Sequence, residues 1–138
     1  MGRSMRGRPL SPGIALARAL VLREPLSLWG GMDPATGEVI DARHPQRGAI
    51  LAGRVVVMPA ARGSSSSSSV LAESVRAGCA PAGILLGEPD LILAVGAAVA
   101  EELYGIQVPI VVVPPAELAK VADGQQVAIG EGGLITLI

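Results

Sequence analysis

Apolar positions in this chain fall in short runs divided by glycine, proline and serine, and the pattern changes midway. The segment from Gly13 to Leu22 alternates imperfectly and predicts a strand that leads into a further extended stretch, Leu26 to Trp29. Two glycines and an Asp-Pro step then make a loop, Trp29-Gly30-Gly31-Met32-Asp33-Pro34. A short strand is predicted over Glu38 to Asp41 and an apolar one over Arg54 to Met58. Beyond six consecutive serines, Ser64 to Ser69, the residues Val70, Leu71, Ser74 and Val75 share one helical stripe, and Gly78 suits the C′ position. Any of the serines can cap this helix, and Glu73 lies at capping-box spacing from the later ones. Ala82 to Leu86 predicts a buried strand. Asp90 caps a helix from Leu91 to Tyr104, which Gly105 ends. Pro109 to Val113 is a strand, Pro115 to Ala122 a short helix, and Gln126 to Ile129 and Leu134 to Ile138 are closing strands. The first half thus reads as strands and loops, the second as alternating strand and helix. All-apolar strands after helices point to a parallel sheet, and the early and terminal strands to a second layer, giving an α/β domain with three layers, β/β/α.

Composition sharpens this picture. The 138 residues suit one domain. Hydrophobic residues make up 50%, charged residues 17% and aromatics 1%, with no Phe, so the core rests on Val, Ile, Leu and Ala. So apolar a chain is expected to hide part of its surface against a partner. A formal net charge of −1 makes no electrostatic case for nucleic acid or anionic membrane. Arg3, Arg6 and Arg8 lie in a segment, 1–11, expected to be a flexible tail ahead of a domain at 12–138. The lone cysteine, Cys79, can form no internal disulfide and no metal site by itself. The apolar run Leu91 to Ala100 is well short of the roughly 20 residues of a spanning helix, so a soluble, cytoplasmic protein is expected.

The serine tract is the strongest candidate for chemistry. It stands between a strand and a helix and directly behind Arg62-Gly63, where backbone N–H groups converge on an anion. Gly63 lets the backbone approach a ligand, and Arg62 can hold an anion or pair with a surface carboxylate. Against this stands a flexible serine linker with spare hydroxyls, and on the residues alone the two readings are level. His44, the single histidine, reads as a surface-loop residue, and no G-x-S-x-G elbow supports a hydrolase. Asp33 reads as an Asx-turn and Trp29 as an interface or core anchor. Glu101 and Glu102 belong to the solvated end of their helix, and no metal-ligand spacing occurs.

The strings LSLWGGMDPATGEVID, HP, RGSSSSSSVL and DLILAVGAAVAEELYG, in this order, resemble the small swivel domain of the aconitase X family. The likeness runs from about Gly13 to Val113. It implies the swivelling β/β/α domain of the aconitase superfamily and a hydro-lyase active only with a large catalytic subunit, as a heterodimer or higher assembly. That subunit would carry the cysteines of an iron–sulfur cluster, whose iron polarises the leaving hydroxyl of a small hydroxy acid. This chain would bind no metal. The resemblance makes Ser64, the first serine after the glycine, the base that takes the proton from carbon. It places Arg62, Gly63, Ser65 and Ser68 at the substrate or the helix cap, with Asp33 as a further substrate-binding candidate.

One departure matters. Aconitase carries an arginine after its two serines, for the substrate carboxylate; here Ser66 stands in that place. Another group must hold the anion, Arg62 or a residue of the large subunit. Family members dehydrate cis-3-hydroxy-L-proline or mevalonate 5-phosphate, and weak ion-pair potential favours the first. A non-catalytic anion-binding or scaffold module is the competing class.

Overall fold

A computed structural model describes residues 3–138. Eight strands form one mixed sheet in the order β1-β8-β7-β3-β4-β5-β6-β2. They are β1 (Arg3–Arg6), β2 (Arg8–Ser11), β3 (Ala15–Val21), β4 (Val55–Met58), β5 (Gly83–Leu86), β6 (Ile110–Val112), β7 (Gln126–Ile129) and β8 (Leu134–Leu137). Strands β3 to β6 run parallel, whereas β7, β8, β1 and β2 pair antiparallel with their neighbours. Helices α2 (Ser67–Arg76) and α3 (Leu91–Tyr104) are the crossovers β4–α2–β5 and β5–α3–β6. Two single turns, α1 (Leu28–Gly31) and α4 (Pro115–Leu118), complete the set.

The two-residue side-chain period builds three layers. Val55, Val57, Leu85 and Val111 face Val127, Ile129, Ile135 and Leu137 across the sheet's interior. Val56, Met58, Ile84 and Leu86 point the other way, against Val70, Leu71, Val75, Leu93 and Ala97 of the helices. Parallel strands buried on both faces need continuous apolar runs, which is what VVVM and GILL supply. The expected β/β/α order is therefore present, with both β layers made from one sheet curled upon itself.

The flexible tail expected over 1–11 is not found in the described part of that segment; Met1 and Gly2 lie outside it. Residues 3–11 form β1 and β2, which occupy opposite edges of the sheet although only Gly7 separates them. The edges meet at that glycine, and its N–H donates to the Gly133 carbonyl at 2.8 Å. A Cβ there would stand 2.5 Å from Val111 Cγ1 and from the Val112 carbonyl oxygen. The basic composition pointed to a free end because unpaired edges, the reason these residues become strands, are a property of the whole sheet.

Three local expectations also change. Leu26 bridges Ala61, but the chain then turns at Leu28–Gly31 instead of staying extended. Glu38 to Asp41 makes only isolated bridges, Met32 to Val39 and Glu38 to Ile50. The helix expected over Pro115 to Ala122 stops after one turn at Leu118. The caps of α3 are as read: Asp90 Oδ1 accepts the Leu93 N–H at 2.9 Å, and Gly105 is left-handed at φ 67°.

Candidate active site at the serine turn

Strand β4 ends at Met58, and Ala61 pairs with Leu26 before the chain reaches Arg62. The serines that follow are ordered, not a linker. Ser64, Ser65 and Ser66 carbonyls accept the N–H groups of Ser67, Ser68 and Ser69 at 2.9, 3.3 and 3.1 Å. These i→i+3 bonds make a tight first turn ahead of α2. Ser64 Oγ accepts the Ser66 N–H at 3.3 Å, so the side chain that caps this turn is the first of the tract. The formal N-cap, Ser66, makes no side-chain cap bond. Glu73 forms no capping box; it pairs with Arg76 one turn on, and that contact lowers its pKa.

The N–H groups of Gly63, Ser64 and Ser65 donate to no acceptor among the described residues. They stand at the positive end of a ten-residue helix, beside the half-buried Ser64 hydroxyl. Arg62 is exposed and takes part in neither ion pair found among the described residues. The turn therefore offers unspent donors, a guanidinium and a hydroxyl already accepting one N–H. Such a group stabilises an anion, either an alkoxide on Ser64 or a bound carboxylate.

Ser67 is the residue that sequence reasoning missed. It is 3% exposed, and its Oγ accepts the Trp29 N–H at 3.1 Å and lies 3.5 Å from Ser27 Oγ. Ser27 Oγ in turn donates to the Trp29 carbonyl at 3.2 Å. These bonds fasten the Trp-Gly-Gly loop to the turn and hold the exposed Trp29 beside it. Extending the stripe Val70, Leu71, Ser74 back one helical turn reaches Ser67, so a signal was present.

Ser68 Oγ donates to the Ser65 carbonyl at 2.8 Å, a role within the helix cap. Its backbone packs on Gly96 of α3, where a Cβ would stand 2.7 Å from the Ser68 carbonyl oxygen. Asp33 is not brought to the turn. Its Oδ1 accepts the Ala35 N–H at 2.8 Å as an Asx-turn, and the next residue's carbonyl accepts the Cys79 thiol beyond the far end of α2. His44 is buried, not a surface residue: its Nδ1 accepts the Gln46 N–H and its Nε2–H faces the Glu24 carbonyl, both at 3.1 Å. It holds a loop, with both ring nitrogens engaged by backbone groups.

Residues 4–137 match the family model described as the aconitase X swivel domain. The chain belongs to the aconitase X family. The swivel domain is 52% identical over 103 residues to a cis-3-hydroxy-L-proline dehydratase of Pseudomonas aeruginosa, covering 75% of this chain and 18% of that protein. A phosphomevalonate dehydratase small subunit of Thermococcus gammatolerans is 37% identical over 125 residues, covering 91% and 89% respectively. The crystal structure of Thermococcus kodakaraensis aconitase X in its holo-form superposes with a TM-score of 0.87 at 31% identity, covering 99% of this chain and 98% of that one. The swivel domain thus spans about a fifth of the length of the hydroxyproline dehydratases it matches.

The swivel domain's own residues do not fit an iron–sulfur cluster. Cys79 is buried, its thiol is turned onto the Pro34 carbonyl, and desolvation pushes its pKa up, with Asp33 and Glu73 adding to the effect. Among the described residues no three His, Cys, Asp or Glu side chains converge, and no helix is long and apolar enough to cross a membrane.

Proposed function

We propose that this chain is the small subunit of a cytoplasmic two-subunit hydro-lyase that removes water from cis-3-hydroxy-L-proline, with Ser64 as the proton-abstracting base. The carrying observation is the serine turn itself: Ser64 Oγ accepts the Ser66 N–H, and the neighbouring N–H groups of Gly63 to Ser65 remain without partners. A hydroxyl is a poor base at neutral pH. The Ser66 N–H donated to its oxygen and the nearby positive end of α2 favour the alkoxide, provided that water is excluded.

In this reading Ser64 Oγ takes the proton from the carbon next to the carboxylate. The C–H electron pair becomes a carbon–carbon double bond, and the hydroxyl on the adjacent carbon departs, so that one water is lost overall. The exposed Arg62 guanidinium and the free N–H groups of Gly63 and Ser65 hold the carboxylate, while Ser68 supports the turn through Ser65. An iron–sulfur cluster would be held by the large subunit, where it would polarise the leaving hydroxyl.

The identity to the Pseudomonas protein supports hydroxyproline as substrate. The likeness to a protein named as a small subunit supports the small-subunit reading, and makes mevalonate 5-phosphate the second substrate reading. The test is turnover of both compounds by this chain, its cognate large subunit, and the mixed pair. Loss of water from hydroxyproline is expected from the pair alone, abolished by Ser64→Ala with assembly intact. Wild-type turnover in Ser64→Ala would remove Ser64 from its role; turnover of mevalonate 5-phosphate alone would select the second reading.

A further inference from the structure

Helix α3 is apolar on two faces. Leu93, Gly96, Ala97 and Ala100 are buried against α2 and the sheet. Leu91, Val95, Val99 and Leu103, spaced by four, form a second stripe that points outward, with Leu91 at 73%, Val95 at 55% and Leu103 at 64% exposure. The first charged residue of this 14-residue helix is Glu101. A helix that is hydrophobic around its circumference belongs between two bodies, and the described residues supply only one.

We infer that the Leu91–Val95–Val99–Leu103 stripe is the surface on which the large subunit docks. This rests on the reading of the chain as a swivel subunit and adds to it the face that is used. Three observations select that occupant. First, α2 and α3 each return antiparallel to the parallel sheet and so run parallel to one another. Gly96 lies against Ser68, so Ile92 and Leu91, four and five residues earlier, come level with the Ser64 region, at about 1.5 Å of rise per residue. The stripe therefore begins beside the turn that must meet the partner for proton abstraction. Second, the swivel domain accounts for only 18% of the Pseudomonas relative, so a far larger body accompanies this fold there. Third, exposed Glu88 and Glu102 bracket the stripe, and neither takes part in an ion pair found among the described residues. The complementary partner surface is an apolar groove bordered by lysine or arginine.

The test measures association of this chain with its cognate large subunit by isothermal titration. Leu91→Asp and Val95→Asp place a charge on the stripe at positions more than half exposed, and at Leu91, the first residue of the helix, an acidic side chain also suits the dipole. Each is expected to weaken binding about tenfold or more, with an unchanged circular dichroism spectrum and near-wild-type kcat once the pair is saturated. Leu16→Thr, on the exposed outer face of β3, is expected to leave affinity unchanged. Wild-type affinity in both stripe variants would overturn the docking face while leaving the proposed reaction standing. Loss of self-association of the isolated chain in those variants, with unchanged affinity for the large subunit, would assign the stripe to a second copy instead. No association between the wild-type chains would overturn the two-subunit reading as well.

Discussion

Ser67 and Trp29 are joined across 38 positions of sequence: the serine hydroxyl accepts the Trp29 backbone N–H at 3.1 Å. The bond fastens the loop after β3 to the first turn of α2, directly after the turn that carries Ser64. Ser67→Ala removes the acceptor but leaves the Trp29 N–H near water, so a loss of about 1 kcal/mol is expected, not the full penalty of a buried orphan. Urea unfolding measures it. Because Trp29 is the sole tryptophan, acrylamide quenching of its fluorescence should rise in the same variant. Unchanged quenching would mean the loop is held by other contacts.

Gly96→Ala sets two effects against each other. Alanine in a helix interior gains about 1 kcal/mol over glycine. Here the new methyl group would stand 2.7 Å from the Ser68 carbonyl oxygen and 3.0 Å from its Cα, both backbone atoms of the neighbouring helix. Overpacking of this kind costs about 1–3 kcal/mol, so net destabilisation of about 1 kcal/mol is expected. Displacement of Ser68 also shifts the turn that carries Ser64, so turnover of the assembled pair should fall more than stability does. A stabilised variant with full activity would contradict the close crossing.

Gly7→Ala tests the closure of the sheet. The added carbon would meet Val111 Cγ1 and the Val112 carbonyl oxygen at 2.5 Å, while the Gly7 N–H is already tied to the Gly133 carbonyl at 2.8 Å. A loss of about 3 kcal/mol is expected by thermal melting, with amide exchange rising first in β1 and β2. A small effect would mean the seam is looser than its geometry.

Cys79 should resist alkylation in the folded protein at pH 8, because burial raises its pKa and its thiol donates to the Pro34 carbonyl. The sign follows from linkage. The folded state prefers the protonated thiol, so its contribution is fully present below the unfolded cysteine's pKa of about 8.5 and is lost as pH rises through the raised folded value. Iodoacetamide labelling that tracks global unfolding across urea is the check; rapid labelling of native protein would refute it.

Much of this was legible in the chain because the signals are local. VVVM, GILL and IVV are short, continuous and apolar, and strands buried on both faces demand that composition. Asp90, Gly78 and Gly105 mark helix ends because capping is settled within a few residues. The Arg-Gly-Ser step left a turn with spare donors level with a flexible linker, and the structure orders it as the turn that opens α2. The errors share the opposite character. Residues 3–11 become strands only because β6 and β8 lie on either side of them. His44 is buried because Glu24 and Gln46 reach it, whereas the Asx-turn read at Asp33 forms as expected.

By itself, then, the sequence determined the alternation of strand and helix, the family, and the serine at the mouth of α2, since periodicity, caps and a short motif are written in neighbouring residues. Only the tertiary structure decided that the sheet closes through Gly7, that Ser67 clamps Trp29, and that α3 keeps an apolar stripe facing outward. Each depends on which distant backbone comes within a few ångströms, and that is set by packing of the whole sheet and not by any local run of residues.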